Sequence, residues 1–119
     1  MVLRKLFKKL STSVVDQDLA RLRDFCAGTP DTLPIGQVQA RTDATVVGEI
    51  SSLRIVPRAG SPTLQATITD GSGSITAVWT GRRRIAGVAP GKRLVVAGRG
   101  APTGPNGRLE ILNPRYELL

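Results

Sequence analysis

The sequence predicts a mainly β domain, a small five-stranded barrel that is preceded by an N-terminal α-helical segment. Two observations predict this fold. Residues 63–80 alternate between apolar and polar side chains on both sides of a glycine-containing turn, which is the pattern of a half-buried β-hairpin. Before residue 29 the apolar residues recur instead at helical spacing. We therefore divide the chain into a basic amphipathic helical N-terminus (1–28), a linker (29–39) and a barrel domain (40–119).

The helical segment carries an apolar stripe with basic residues opposite to it. The first part of the stripe consists of Leu3, Leu6, Phe7 and Leu10, and it lies opposite Arg4, Lys5, Lys8 and Lys9. After an interruption at residues 11–13, the spacing continues with Val15, Leu19, Leu22 and Cys26. Ser13 and Asp16 predict the start of this second helix, and Gly28 predicts its end in a left-handed cap.

The hairpin is the clearest element of the predicted barrel. In its first strand, the side chains of Leu64, Ala66 and Ile68 are expected to face the core. The side chains that face outward are those of Thr63, Gln65, Thr67 and Thr69. The run DGSG at residues 70–73 supplies residues that favour a tight turn. The second strand, Ser74–Thr80, continues the alternation with Ile75, Ala77 and Trp79.

Three further strands are predicted around the hairpin. The first is long, about residues 40–57, and we expect it to bend or bulge at Gly48. Residues 81–90 are too short and too rich in arginine and glycine for a long helix. The fourth strand follows at residues 92–100 and the fifth at 108–112, with an extension to 118 left open. Five strands with a long, bent first strand favour a five-stranded OB-type barrel over a sandwich.

Composition narrows the function. The chain has 119 residues, which suffices for one domain, and a net charge of +8 that favours polyanionic partners such as nucleic acid or an anionic membrane surface. There is no histidine and only one cysteine, so metal sites built on these residues and nucleophile–histidine pairs are excluded. We expect no enzymatic activity, no cofactor and no metal. Cys26 is interpreted as an inert buried thiol, and the absence of a signal sequence predicts a cytoplasmic protein.

Several short motifs together resemble those of OB-fold nucleic-acid-binding domains. They are VVGEI at 46–50, TDGSGSI at 69–75, Trp79, PGKRL at 90–94, VAGR at 96–99 and NPRY at 113–116. Over residues 40–118 the chain is similar to the wedge domain of branch-migration helicases and to short actinobacterial OB-fold proteins. The resemblance implies binding of single-stranded or branched DNA or RNA on the face of the second and third strands, with no chemistry of its own.

Basic residues are the main candidates for such binding. Between residues 82 and 99 there are six cations and no anion: Arg82, Arg83, Arg84, Lys92, Arg93 and Arg99. Arg54 and Arg58 are assigned to the long loop that borders the same groove. Because most surface runs alternate in sign and this one does not, we favour phosphate binding over a merely solvated surface. The outward residues Thr63, Gln65, Thr67, Thr69 and Thr76 are candidates for hydrogen bonds to sugars or base edges.

Two aromatic residues are ambiguous. Trp79 shares its phase with Ile75 and Ala77, which favours a core position, but stacking on a base stays open as the alternative. Tyr116 either leans over the end of the barrel as part of the binding surface or simply closes the barrel.

The leading hypothesis is therefore a non-catalytic protein that binds single-stranded or branched nucleic acid weakly and with little sequence preference. The alternative is a protein-interaction adaptor, with a protein partner or a second copy of the chain bound through the N-terminal helices. Residues 1–10 also resemble a membrane-surface helix, but packing onto the barrel or another subunit explains them better.

Overall fold

One helix and six strands make up the part of the chain described by the computed structural model, which comprises residues 17–103 and 107–119. Helix α1 occupies residues 17–27, and a 3-10 turn follows at Ile35–Gln37. The strands are β1 (Asp43–Ile55), β2 (Thr63–Thr69), β3 (Ser74–Thr80), β4 (Arg93–Thr103), β5 (Arg108–Leu112) and β6 (Arg115–Leu118). The predictions for residues 1–16, including the first apolar stripe and the helix start at Ser13 and Asp16, lie outside the described residues.

Five of the strands pair with one another in a closed ring. β1 pairs antiparallel with β2 on one side and with β4 on the other, and β2 pairs antiparallel with β3. β5 closes the ring, because it lies parallel to β3 and antiparallel to β4. The mainly β fold and the five-strand count of the ring are confirmed. The 80–93 connection contains no helix, as expected from its composition.

The C-terminal residues form a separate sixth strand instead of extending the fifth. Asn113 interrupts the chain with a φ of 48°, and its side chain and backbone bond to the end of β3, with Asn113 N–H donating to the Val78 carbonyl at 2.6 Å. Pro114 follows and has no N–H for a strand ladder. β6 then pairs only with β4, at residues 94–97, and leaves its other edge open.

The bend in β1 lies at a different place from the predicted one. The pairing register with β2 shifts between Ile50 and Ser52, and the extra residue Ser51 donates its hydroxyl to the Thr67 carbonyl at 3.2 Å. Gly48 has another role. A Cβ there would lie 2.6 Å from Ile68 Cγ2 and 2.7 Å from the Thr69 carbonyl oxygen. Glycine therefore lets β2 approach closely at the point where β1 changes partners, and the expected bulge at Gly48 is wrong by three residues.

The inside of the ring is filled by the residues that the alternating pattern selects. The core contains Val46, Ile50, Leu64, Ala66, Ile68, Ile75, Ala77, Trp79, Leu94, Val96 and Ile111. The predicted inward phase of the hairpin is thus confirmed. The outward phase is less uniform than expected, because Thr63 and Val78 are also fully buried.

Helix α1 covers the outer face of the first half of β1. Leu22 and Cys26 pack against Val47, and the Arg93 guanidinium lies 4.4 Å from the centre of the Phe25 ring. The helix ends at residue 27, as predicted, but Gly28 does not have the left-handed φ of the expected cap. Its N–H donates to the Asp24 carbonyl at 3.1 Å, which continues the helical pattern for one more bond. Cys26 is buried, as predicted.

The buried carboxylate of Asp70 ties the 29–39 connector to the hairpin turn. Asp70 Oδ2 accepts the Ile35 N–H at 2.8 Å. Asp70 Oδ1 accepts the Ser72 N–H at 2.8 Å, the Ser72 hydroxyl at 2.6 Å and the Gly73 N–H at 3.3 Å. Ile35 itself is buried in the core. This part of the 29–39 segment therefore packs against the domain.

Replacing Asp70 by Asn is expected to lower the free energy of unfolding by about 2 kcal/mol, because one amide oxygen cannot serve donors on both sides of the group. Denaturant unfolding measures the change. Asp43→Asn, at an exposed position on the same domain, is the control and is expected to change stability by less than about 0.5 kcal/mol. Equal effects of the two substitutions would contradict the role assigned to Asp70.

Cys26 is expected to react slowly with thiol reagents while α1 is docked. Burial raises the pKa of the Cys26 thiol, and the nearby charge of Asp70 raises it further, so the reactive thiolate is scarce in the folded protein. Phe25→Ala removes the ring under Arg93 and should speed alkylation at constant pH, with the denaturant-unfolded chain as the upper limit. A rate equal to that of the unfolded chain in the unsubstituted protein would contradict the burial.

Candidate nucleic-acid interface

A polar groove lies on the outer face of the ring, where the second half of β1 and strands β2, β3 and β5 lie side by side. The groove has a volume of about 200 Å³ and is lined by Ser52, Arg54, Gln65, Thr67, Thr76 and Arg108. Its position follows from the strand alternation: the residues between the core positions of β2 and β3 must point outward. In register, Thr67 pairs with both Ser52 and Thr76, so one row of hydroxyls crosses three strands.

Two of the predicted arginines belong to this face. Arg54 lies on β1, not in the following loop as the sequence predicted, and its Nη2 donates to Gln65 Oε1 at 3.4 Å. Arg58 lies in the loop 56–62. Its Nη2 is 3.4 Å from Glu110 Oε2 on β5, so its side chain reaches over the outer face of the sheet. The face therefore joins residues that are far apart in the sequence.

The triplet at residues 82–84 lies past the Thr80 end of β3, whereas Arg108 lies near the other end of that strand, and none of the three lines the groove. All three arginines are exposed, and they follow β3 after Gly81. The preceding residue, Gly81, donates its N–H to the Pro62 carbonyl at 2.8 Å. The triplet thus begins beside the end of the loop that carries Arg58.

The other three predicted cations are not brought to this groove. Lys92 lies beside the bend of β1, where its carbonyl accepts the Ile50 N–H at 2.8 Å. Arg93 is in register with Glu49 and stacks on Phe25 of α1. Arg99 is opposite Asp43 at the other end of the β1–β4 ladder. The fold therefore separates cations that form one series, uninterrupted by an anion, in the sequence.

Trp79 occupies the core position. Its side chain is only 6% exposed, and the Tyr116 ring meets it edge-on at a centroid distance of 5.6 Å. This burial leaves no free ring face for a base, so Trp79 is removed from the candidate binding residues. Tyr116 closes this end of the core and keeps 42% of its surface exposed.

Three residues of β5 on this outer face were missed by the sequence analysis, and so was Ser52 of β1, which lines the groove together with Arg108. Arg108 lines the groove, Glu110 is in register with Thr76, and Leu112 is in register with Val78 and is 53% exposed. All three lie in the same phase of β5. Alternation in β5 alone was a signal for their common face, but their position beside β3 depends on a parallel pairing that no local pattern reveals.

A second crevice, of about 360 Å³, lies between α1, the connector and the hairpin turn, and its lining includes Arg23, Cys26 and Asp70. Its polar groups already have partners: Arg23 donates to the Gly71 carbonyl at 3.1 Å, and Asp70 accepts the bonds given above. Within residues 17–103 and 107–119, no three His, Cys, Asp or Glu side chains are grouped as a metal site would require. No helix in the same ranges has the length and apolar character needed to cross a membrane.

Comparison with known proteins gives the family. Residues 44–119, more than half of the chain, match the family described as OB-fold nucleic acid binding domain. The chain belongs to this family. The resemblance inferred from the motifs is therefore confirmed, and the closed five-strand ring is the OB fold. None of the curated proteins compared with the chain matches it.

Solved structures share this OB fold at low sequence identity. RecG bound to a three-way DNA junction has a TM-score of 0.60 and 20% identity, covering 74% of this chain but only 12% of the RecG chain. The OBody AM3L09 bound to hen egg-white lysozyme has a TM-score of 0.59 and 14% identity, covering 77% of this chain and 97% of the other. The replication factor A related protein of Methanobacterium thermoautotrophicum has a TM-score of 0.56 and 18% identity, covering 74% and 90%.

The buried position of Trp79 has a spectroscopic consequence. Its fluorescence is expected to be weakly quenched by acrylamide and to change little when an oligonucleotide is added, because neither reaches the ring. A titration followed by tryptophan emission tests this, and the denatured protein provides the fully accessible reference. Strong quenching by a bound oligonucleotide would restore Trp79 as a stacking residue.

Proposed function

We propose that this OB-fold domain binds single-stranded or branched nucleic acid, weakly and with little sequence preference, through its outer groove. The observation that carries the proposal is the convergence of Arg54 and Arg108 on one polar groove. These residues come from β1 and β5, which are separated in the sheet by β2 and β3. A ligand that follows the groove meets positive charge from both sides.

The charge balance of the groove supports a phosphate ligand. Among the described residues, neither Arg54 nor Arg108 has a carboxylate within 4.0 Å, the limit for a salt bridge. Two guanidinium groups that line the same small groove repel each other, and an anion between them relieves that repulsion. Guanidinium groups also bind phosphate oxygens through two parallel hydrogen bonds. The exposed triplet at residues 82–84 adds positive charge past the Thr80 end of β3.

The remaining groove residues support weak binding with little sequence preference. Thr67, Thr76 and Gln65 offer hydrogen bonds to sugars and base edges. No aromatic side chain is among the residues that line the described groove. Stacking of a base on an aromatic ring is worth roughly 1–3 kcal/mol, and this contribution is absent from the proposed mode of binding. Phosphate contacts then dominate, and they do not depend on base sequence.

The branched ligand is supported by the similar fold of RecG, whose structure was solved bound to a three-way DNA junction. Only the fold is shared at 20% identity, so the junction remains a proposal for this chain. We propose no catalytic role for the domain and assign it to binding alone.

A protein-binding role is the second candidate. The observation that favours it is the open edge of β6, where Tyr116 and Leu118 are 42% and 39% exposed. An added strand from a partner would bond to such an edge. The membrane hypothesis depends on residues 1–10, which lie outside the described residues.

The groove proposal is tested by two charge-matched pairs of substitutions. Arg54→Ala with Arg108→Ala removes two groove cations, whereas Lys92→Ala with Arg99→Ala removes two exposed cations elsewhere. Fluorescence anisotropy with labelled single-stranded DNA, single-stranded RNA, a three-way junction and duplex, at several salt concentrations, measures binding. We expect the groove pair to weaken binding to the single strand more than the control pair, and to flatten the log–log salt dependence by about 1.4.

Two results would contradict the proposal. Equal losses in both pairs would mean that net charge, and not the groove, determines binding. No binding of any probe by the unsubstituted protein at low salt would reject nucleic-acid binding and favour the protein-binding role. A further variant with residues 82–84 changed to alanine tests whether this triplet contributes to binding.

A further inference from the structure

Glu110 is a carboxylate on the outer face that carries the groove, in register with Thr76 of the groove lining. Its pairing with Arg58 is the one salt bridge found within residues 17–103 and 107–119. Other described acidic residues lie elsewhere, on α1, the connector, the first half of β1, the hairpin turn or β6. An acid in this position works against phosphate binding, so its effect on the groove requires an explanation.

We propose that Glu110 is an internal competitor of the nucleic-acid phosphate for Arg58. The inference rests on the proposed function and extends it. It assigns Arg58 as a phosphate-binding residue whose guanidinium is paired with Glu110 in the free protein. In the free protein the Glu110 carboxylate keeps the Arg58 guanidinium over the outer face. A bound phosphate replaces the carboxylate.

The geometry of the pair supports an exchange. Arg58 comes from the loop 56–62, which joins β1 and β2, and Glu110 lies on β5 in register with Thr76 of β3. The contact between Arg58 Nη2 and Glu110 Oε2 is a single one at 3.4 Å. The Arg58 side chain is 44% exposed and the Glu110 side chain 17% exposed. The mobile partner of the exchange is therefore the arginine, whose head group solvent and a ligand can reach.

The chemistry of the two anions favours the replacement. Carboxylate and phosphate accept from the same N–H groups of the guanidinium, but a phosphate that accepts two parallel hydrogen bonds holds it more strongly than one long contact. Solvent-exposed ion pairs change an equilibrium constant by a factor of roughly 1.5 to 5. Competition of this size weakens binding without preventing it.

Glu110 affects a bound phosphate in two ways that can be separated. It repels the phosphate directly, and this effect does not need Arg58. It also competes for Arg58, and this effect disappears when Arg58 is absent. A double-mutant cycle isolates the second effect as the coupling between the two residues.

The experiment compares Glu110→Gln, Arg58→Gln and the double variant with the unsubstituted protein, using anisotropy with labelled single-stranded DNA at low salt. Gln has the shape of Glu without its charge, and thermal unfolding checks that each variant is folded. We expect Glu110→Gln to tighten binding by about 2- to 5-fold. The gain should be smaller when Arg58 is already Gln. Glu117→Gln on β6 is the matched control and should tighten binding less than Glu110→Gln.

The outcomes separate this inference from the function on which it rests. An equal gain from Glu110→Gln in both backgrounds would overturn the inference, since only repulsion would remain. Unchanged or weaker binding by a folded Glu110→Gln protein would overturn it as well, while binding that still depends on Arg54 and Arg108 would leave the proposed function intact. If Glu110→Gln unfolds, Glu110→Asp keeps the charge, lengthens the contact and should give a smaller gain. No binding by any protein in the set would overturn both proposals.

Discussion

The carboxylate of Asp70 determines how the pieces of this small domain meet. Its two oxygens accept bonds from the connector and from the hairpin turn, at a site from which water is largely excluded. A carboxylate is buried at acceptable cost only where such donors surround it. The turn so fixed presents the Gly71 carbonyl to Arg23 of α1. Helix, connector and hairpin are thereby joined at one end of the ring.

This arrangement also decides which part of the outer surface α1 covers. Helix α1 lies against Val47, so residues 46–48 of β1 are buried on both faces. After the bulge at Ser51, the outward residues Ser52 and Arg54 of β1 line the groove, whose described lining includes no residue of α1. The same division separates the cations by role. Arg93 stacks on a ring of the helix, whereas Arg54 and Arg108 line the groove.

Local patterns in the sequence predicted the hairpin, its inward residues and the end of α1, because alternation and helical spacing are properties of neighbouring residues. The position of the bulge was not predictable in this way, since it depends on where β1 changes partners near Gly48. The site was predicted less well than the fold. No anion interrupts the cations at 82–99 in the sequence, but they lie apart in space because some are in the loop after β3 and others are on β4. Arg108 joins Arg54 on one face only through the parallel pairing of β3 with β5.

Selectivity in such a groove depends on the direction of its donors more than on net charge. A net charge of +8 attracts any polyanion at low salt, and this attraction weakens as salt screens it. The row formed by Ser52, Thr67 and Thr76 adds hydroxyls between the two groove arginines, and a nucleic-acid strand along the groove offers them phosphate and sugar oxygens in succession. Under the same proposal, Glu110 beside Thr76 opposes this attraction, so weakly held anions are bound least. In the proposed mode of binding, charge brings a ligand to the protein, and the hydroxyl row favours ligands that extend along the groove.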